Sequence, residues 1–172
     1  MVNEHGTFVA SYTASVADGV RGAARLAEIV RQFHGWLDPL WRVQGWAQEG
    51  YSVNSTNRPF DLGAVAGALQ VAGYVRFERE PLIVPPSTLK LFVTGNGAAN
   101  KDDILYTVKT RWGVDLGDRD DEADALGLAR FAWAVATKQF SRRCEVEATQ
   151  ALTSPAARPP RARTGRSRTP NV

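Results

Sequence analysis

Three carboxylates in this sequence have the spacing to do chemistry on a phosphate. Glu49 closes the short run GWAQEG, straight in front of a turn, and Asp121 and Asp124 fall three apart in DRDDEAD at the start of an apolar helical stretch. Side chains three apart on a helix share a face about one turn apart, so these two carboxylates stand together. Acids in a first helical turn are also what the helix dipole favours, and capping accounts for the same residues without any chemistry. Against that, several acids crowded beside an apolar helix, with no lysine in the run, repel one another unless a cation sits between them. Hard oxygen ligands suit magnesium or manganese rather than zinc. If Glu49 lies opposite the helix face, the three could hold one or two divalent ions over a phosphate.

Basic and polar groups supply weaker signals. GNGAANKDD, from Gly95 to Asp103, combines glycines, an asparagine cap and Lys101 at a helix start. That arrangement can contact phosphate, or can simply be a tight turn with a cap. It lacks the GxxxxGK[ST] order of a Walker motif. Lys90, Lys101, Lys109 and Arg111 could line a nucleic-acid groove or form a solvated face. His34, near the end of an amphipathic helix, favours that end electrostatically and reads as structural. Trp36, Trp41, Trp46, Trp112 and Trp133 read as core or groove residues; nothing in their spacing marks a stacking platform.

The elements that must position these groups are those of one α/β domain. A chain of 172 residues, 44% apolar and 23% charged, can bury one sizeable core. No apolar run approaches the roughly 20 residues of a membrane span, and MVNEHGTF is not a secretory leader, so no membrane association and a cytoplasmic location are expected. A single cysteine, Cys144, and two histidines, His5 and His34, argue against a disulfide framework or a histidine-rich zinc site. The net charge of +3 is unevenly placed: the stretch from Thr153 to Val172 holds Arg158, Arg161, Arg163, Arg166 and Arg168 and no acid, leaving −2 for the remainder. A domain over residues 1–150 with a disordered tail over 151–172 is expected, because a stretch so rich in proline and arginine buries too little to offset ordering. The tail arginines could release counterions from a phosphate backbone, or serve solubility alone.

Thr7 to Ala14 alternates as a strand, and Asp18 can cap a helix whose stripe is Leu26, Ile29, Val30 and Phe33. Arg42 to Gln48 suits a strand that delivers Glu49 at its end. Leu62, Val65, Leu69 and Ala72 mark a close-packed helix, and LIV before two prolines a short strand. A short helix capped by Ser87 follows, then one capped by Asn100 and stopped by Gly113. The last helix turns Ala125, Leu128, Ala132, Trp133 and Ala136 inward. Alternating strands and helices imply partly parallel pairing.

EGYSVNSTNRPFDLGAVAGAL, VPPSTLKLFVTGNGAANKDDILYTVKTRWG and DRDDEADALGLARFA, in that order, resemble the phage and bacterial RuvC-type Holliday junction resolvases, from about Gly6 to Thr137. The resemblance implies an RNase H-like fold, a mixed sheet flanked by helices, working as a homodimer on branched DNA such as a four-way junction. It implies two magnesium or manganese ions per active site, one activating water for in-line attack on a phosphodiester and one stabilising the leaving 3′ oxygen. Glu49 would be the family's strand-end glutamate, Asp121 and Asp124 its C-terminal helix pair, and Lys101 its lysine near the scissile phosphate. The run holding Tyr51, Asn54 and Arg58 would approach the junction. The family opens on a strand carrying an aspartate in a GIDPG or GLDLS-like motif, followed by a second strand. The present sequence enters at HGTFVASYTA, similar to the third, so the first two strands and one metal ligand are expected to be missing. Glu4, Asp18 and Asp38 offer no substitute on a strand of the expected kind. The function implied is metal-dependent, structure-selective cleavage of branched DNA, with binding that stops short of cleavage as the alternative.

Overall fold

A computed structural model describes residues 1–37, 43–50 and 59–153. Its elements, in chain order, are α1 (Gly22–Leu37), β1 (Ala47–Glu49), α2 (Pro59–Phe77), β2 (Leu82–Val84), α3 (Pro86–Thr94), α4 (Lys101–Trp112), α5 (Asp120–Thr137) and α6 (Arg143–Thr153). The α/β expectation holds in coarse form: helices surround a small parallel sheet. Among the described residues that sheet has two strands, in the register Ala47↔Leu82, Gln48↔Ile83 and Glu49↔Val84.

β1 is anchored on α2 by an aromatic wedge. Trp46, the residue before the strand, packs edge-on to Phe77 with ring centroids 5.9 Å apart, and its Nε1 donates to the Arg79 carbonyl at 3.0 Å. Gly73 makes room for it, since a Cβ there would overlap the Trp46 ring. Leu82 N then donates to Trp46 O at 3.0 Å, and Gly50 N to Val84 O at 2.8 Å, fixing β1 on β2 at both ends. In a parallel ladder this turns the backbone groups of Ala47 and Glu49 away from β2. No described strand pairs with that outer edge.

The main core is built by the second half of the chain. Val84, Leu89, Phe92, Val93, Ile104, Val108, Leu126, Phe131 and Ala148 form one buried cluster, with the Phe92 and Phe131 rings 4.9 Å apart. Gly127 brings α5 against α3: a Cβ there would stand 2.9 Å from Val93 Cγ2. Ile29 and Leu37 of α1, and Ala66 and Ala72 of α2, are buried outside that cluster.

Several local expectations are corrected. Thr7 to Ala14 is not a regular strand; its first residues pair back on Met1–Asn3 through an antiparallel bridge between Phe8 and Val2 and backbone bonds such as Val9 N to Met1 O at 3.0 Å. α1 begins at Gly22, beyond the reach of an Asp18 cap. α3 starts on Pro86 with Pro85 at its cap, leaving Ser87 inside the helix: proline's fixed φ makes the first turn that the hydroxyl was expected to make. The expected last helix is found as α5, which stops at Thr137 where Lys138 takes φ 59°, and a further helix, α6, follows it. α6 continues through Thr153, past the boundary expected at residue 150. It is held by Glu145, 5% exposed, which accepts from Arg111 Nη2 at 3.2 Å and from Ser141 N at 2.6 Å. Leu62 of α2 is exposed rather than packed.

The inward face of α5 also differs. Ala123, Leu126, Gly127, Phe131, Ala132 and Ala134 are buried, while Ala125 and Ala136 are exposed. The helix is apolar on two sides. One enters the core, and the other, with Ala125, Ala129, Trp133 and Ala136, lines an open cavity of about 870 Å³ beside Trp46, Ala47 and Phe77.

Candidate active site

Glu49 is the last residue of β1, and Asp120, Asp121 and Asp124 lie in the first turns of α5. The strand end and the helix start are close enough to sense each other. Burial pushes the Glu49 carboxyl above the ordinary glutamate range, and the charges of Asp124 and Asp121 push it the same way, while Lys90 and Lys101 oppose them. Burial likewise raises the Asp124 carboxyl; Lys101 and Lys90 pull it down, and Asp121 and Asp120 push it up. Glu49 is exposed as a residue.

Lys101 is the first residue of α4, set there by local rules. Gly95 ends α3 with φ 89°, and Asn100 then caps α4 in a reciprocal pair: Asp103 N donates to Asn100 Oδ1 at 2.9 Å, and Asn100 N donates to Asp103 Oδ2 at 3.0 Å. The ammonium of Lys101 bonds to the Asp120 carboxylate, which raises the lysine and lowers the aspartate. The acidic run is therefore not without a nearby lysine, as its sequence suggested; the counter-charge comes from another helix. Asp120 stands beside Asp121 in the sequence, and only the fold brings Lys101 to it.

α5 is held at its start by a neighbouring acid. Glu122 accepts from Arg119 Nη1 at 2.9 Å and from Ser11 Oγ at 2.5 Å, and these contacts lower its carboxyl below the usual range, the serine bond first. Thr13 Oγ1 reaches the same carboxylate at 3.4 Å. Of this anchor the sequence shows the Arg119–Glu122 spacing, but not the part that serine and threonine at alternate positions of the N-terminal segment supply across the fold.

Of the other residues singled out, Lys90 on α3 lies within electrostatic range of Glu49 and Asp124. Lys109, in the last turn of α4, pairs with Asp115 at 2.7 Å, away from the acids. Arg111 is committed to Glu145 and to the Val93 carbonyl. Trp133 is half-buried, with Nε1 donating to the Glu4 carbonyl at 2.9 Å. Tyr51, Asn54, Arg58, Arg158, Arg161 and Arg163 lie outside the described residues.

Glu49, Asp121 and Asp124 offer only hard oxygen donors, and a divalent cation would offset both the burial that chiefly raises Glu49 and Asp124 and the smaller repulsion from neighbouring acids; the donor chemistry fits magnesium or manganese. Among the described residues, no three acids, histidines or cysteines converge tightly enough to hold an ion as they stand. No described helix is long and apolar enough to cross a membrane.

No family model matches the chain, and no solved structure matches it significantly. Curated proteins do. A crossover junction endodeoxyribonuclease RuvC of Prochlorococcus marinus (strain MIT 9303) is 30% identical over 119 residues, covering 69% of this chain and 73% of the relative. The protein of the same name from Anaeromyxobacter sp. (strain K) is 33% identical over 118 residues, covering 66% and 63%. That from Rickettsia prowazekii (strain Madrid E) is 39% identical over 79 residues, covering 45% and 50%. The ordered motifs and this extent of identity together place the chain in the RuvC crossover junction endodeoxyribonuclease family.

Proposed function

We propose that the protein is a metal-dependent, structure-selective endonuclease that hydrolyses phosphodiesters in branched DNA such as a four-way junction. The observation that carries this reading is the placement of Glu49 at the end of β1 within electrostatic reach of Asp121 and Asp124 at the start of α5, with Lys101 close enough to act on the same carboxyls. A magnesium or manganese ion bound there would polarise the phosphate and lower the pKa of attacking water. Glu49 and Asp124, whose carboxyls bind protons more tightly than free ones, would hold it, with Asp121 on the same face of α5. Lys101 would meet the scissile phosphate, and Asp120 would position its ammonium. Tyr51, Asn54, Arg58, Lys90, Lys109 and the tail residues Arg158, Arg161 and Arg163 are proposed to contact DNA outside the reacting phosphate.

A homodimer is part of the same reading. On α2, Val71, Tyr74 and Val75 are 67%, 51% and 72% exposed and lie three and four residues apart, one apolar stripe facing outward. Val75→Glu should shift the sedimenting species to the monomer; unchanged sedimentation of a dimer would place the interface elsewhere.

Binding without cleavage is favoured by one observation: the three acids do not converge as an ion-holding trio among the described residues. A labelled four-way junction separates the two readings. Cleavage in magnesium or manganese, absent in chelator and reduced at least about a hundredfold by Glu49→Gln, supports the nuclease. Retarded junction with no cleavage in either metal supports binding alone, and cleavage undiminished by Glu49→Gln would overturn the site.

A further inference from the structure

A second polar and aromatic site stands on α1, apart from the acids. Tyr12 stacks on Trp36 with ring centroids 6.0 Å apart and planes 20° from parallel, and Tyr12 is 47% exposed. The pair is set by Gln32. The Tyr12 hydroxyl donates to Gln32 Oε1 at 2.8 Å, Ser15 N donates to the same oxygen at 3.2 Å, and Gln32 Nε2 returns a bond to Ser15 O at 2.7 Å. Arg31, beside them, is held by Glu28 through Nε at 2.8 Å and Nη2 at 2.6 Å. With Ser15 and Gly35 these residues line an open recess of about 510 Å³. Gly35 has no atom within 4 Å of where a Cβ would stand, so the recess has no wall on that side.

Rigid stacked rings with an open face and a guanidinium at the edge suit a flat, polarisable ligand. Nucleobases stack on such surfaces whatever their sequence, with arginine adding a cation–π contribution. The recess is also tied to the acids: Ser11 and Thr13, on either side of Tyr12, both bond to Glu122, the residue after Asp121. We propose that the Tyr12–Trp36 recess is a stacking site for an unpaired DNA base, close to the strand being cut; this rests on the DNA reading above.

The test uses the full chain and two labelled probes, a twelve-residue thymidine strand and the same backbone with abasic residues, compared by fluorescence anisotropy. The wild type should bind the base-bearing strand about tenfold more tightly. Gly35→Gln has open space for its Cβ, extends a side chain toward the recess and favours the helix, so it should fold while reducing the preference to about twofold or less. Tyr12→Ala should do the same. A wild type with no preference, or a preference that survives Gly35→Gln in a protein with normal melting, would overturn the proposal. Failure of the DNA reading itself shows separately, as wild-type protein that neither binds nor cuts a four-way junction.

Discussion

Glu49 and Asp124 bind their protons more tightly folded than free, and this fixes the sign of their contribution to stability. An unfolded chain titrates them in the ordinary carboxylate range, about 4. Between that value and the raised folded one, the folded state carries more protons, so stability falls as pH rises across the window. Asp124→Asn and Glu49→Gln, melted in chelator, should therefore match or exceed the wild-type Tm at pH 7. Their advantage should vanish near pH 3.5, where the wild-type acids are protonated too. A lower Tm for either variant at pH 7 would mean that its carboxylate makes a favourable contact that outweighs crowding. Saturating magnesium should reverse the order, because only the acids offer the cation a ligand. These residues were legible in the sequence since spacing on a helix and position at a strand end are local properties. The Lys101–Asp120 contact was not, because it depends on how α4 meets α5.

At the scale of elements, the cap and stop of α4 were legible, whereas the caps expected from Asp18 and Ser87 were not. The Asn100 pairing and the Gly113 stop of α4 are decided within a few residues, and both follow the sequence pattern. The faces of α5 were not legible, because a helix apolar on both sides has no single period to follow. Trp133 illustrates the difference: it packs against the core as expected, but only in part, its ring standing over Gly6 at 3.0 Å from where a Cβ would lie. Trp133→Ala should accordingly cost about 3 kcal/mol, the lower end for truncating a packed aromatic side chain. Gly73 carries more weight for the site. Gly73→Ala puts a methyl group into the Trp46 ring that anchors β1, and overpacking of this kind costs about 1–3 kcal/mol. Denaturant unfolding should show that loss, with a fall in junction cleavage because Glu49 is carried on the displaced strand. Equal stability would mean that α2 shifts to accommodate the methyl group.

Over the whole molecule, the sheet was less legible than the helices. Pairing of Ala47–Glu49 with Leu82–Val84 is a contact between distant residues, and the larger mixed sheet expected from the family is represented among the described residues by two strands. The division of burial has a dynamic consequence. The cluster from Val84 to Ala148 is one contiguous core, whereas α1 and α2 bury Ile29, Leu37, Ala66 and Ala72 outside it. Amides of α3, α4 and α5 should exchange hydrogen with solvent only on global unfolding, and those of α1 and α2 through a smaller, more frequent opening. Uniform protection across all of them would show a single unit instead. In such an opening Lys101, Asp121 and Asp124 stay on the slow-exchanging side, and Glu49 sits at the boundary, on the strand that Trp46 ties to α2. The acids would then part company long before the protein unfolds, making site assembly an equilibrium with its own temperature dependence.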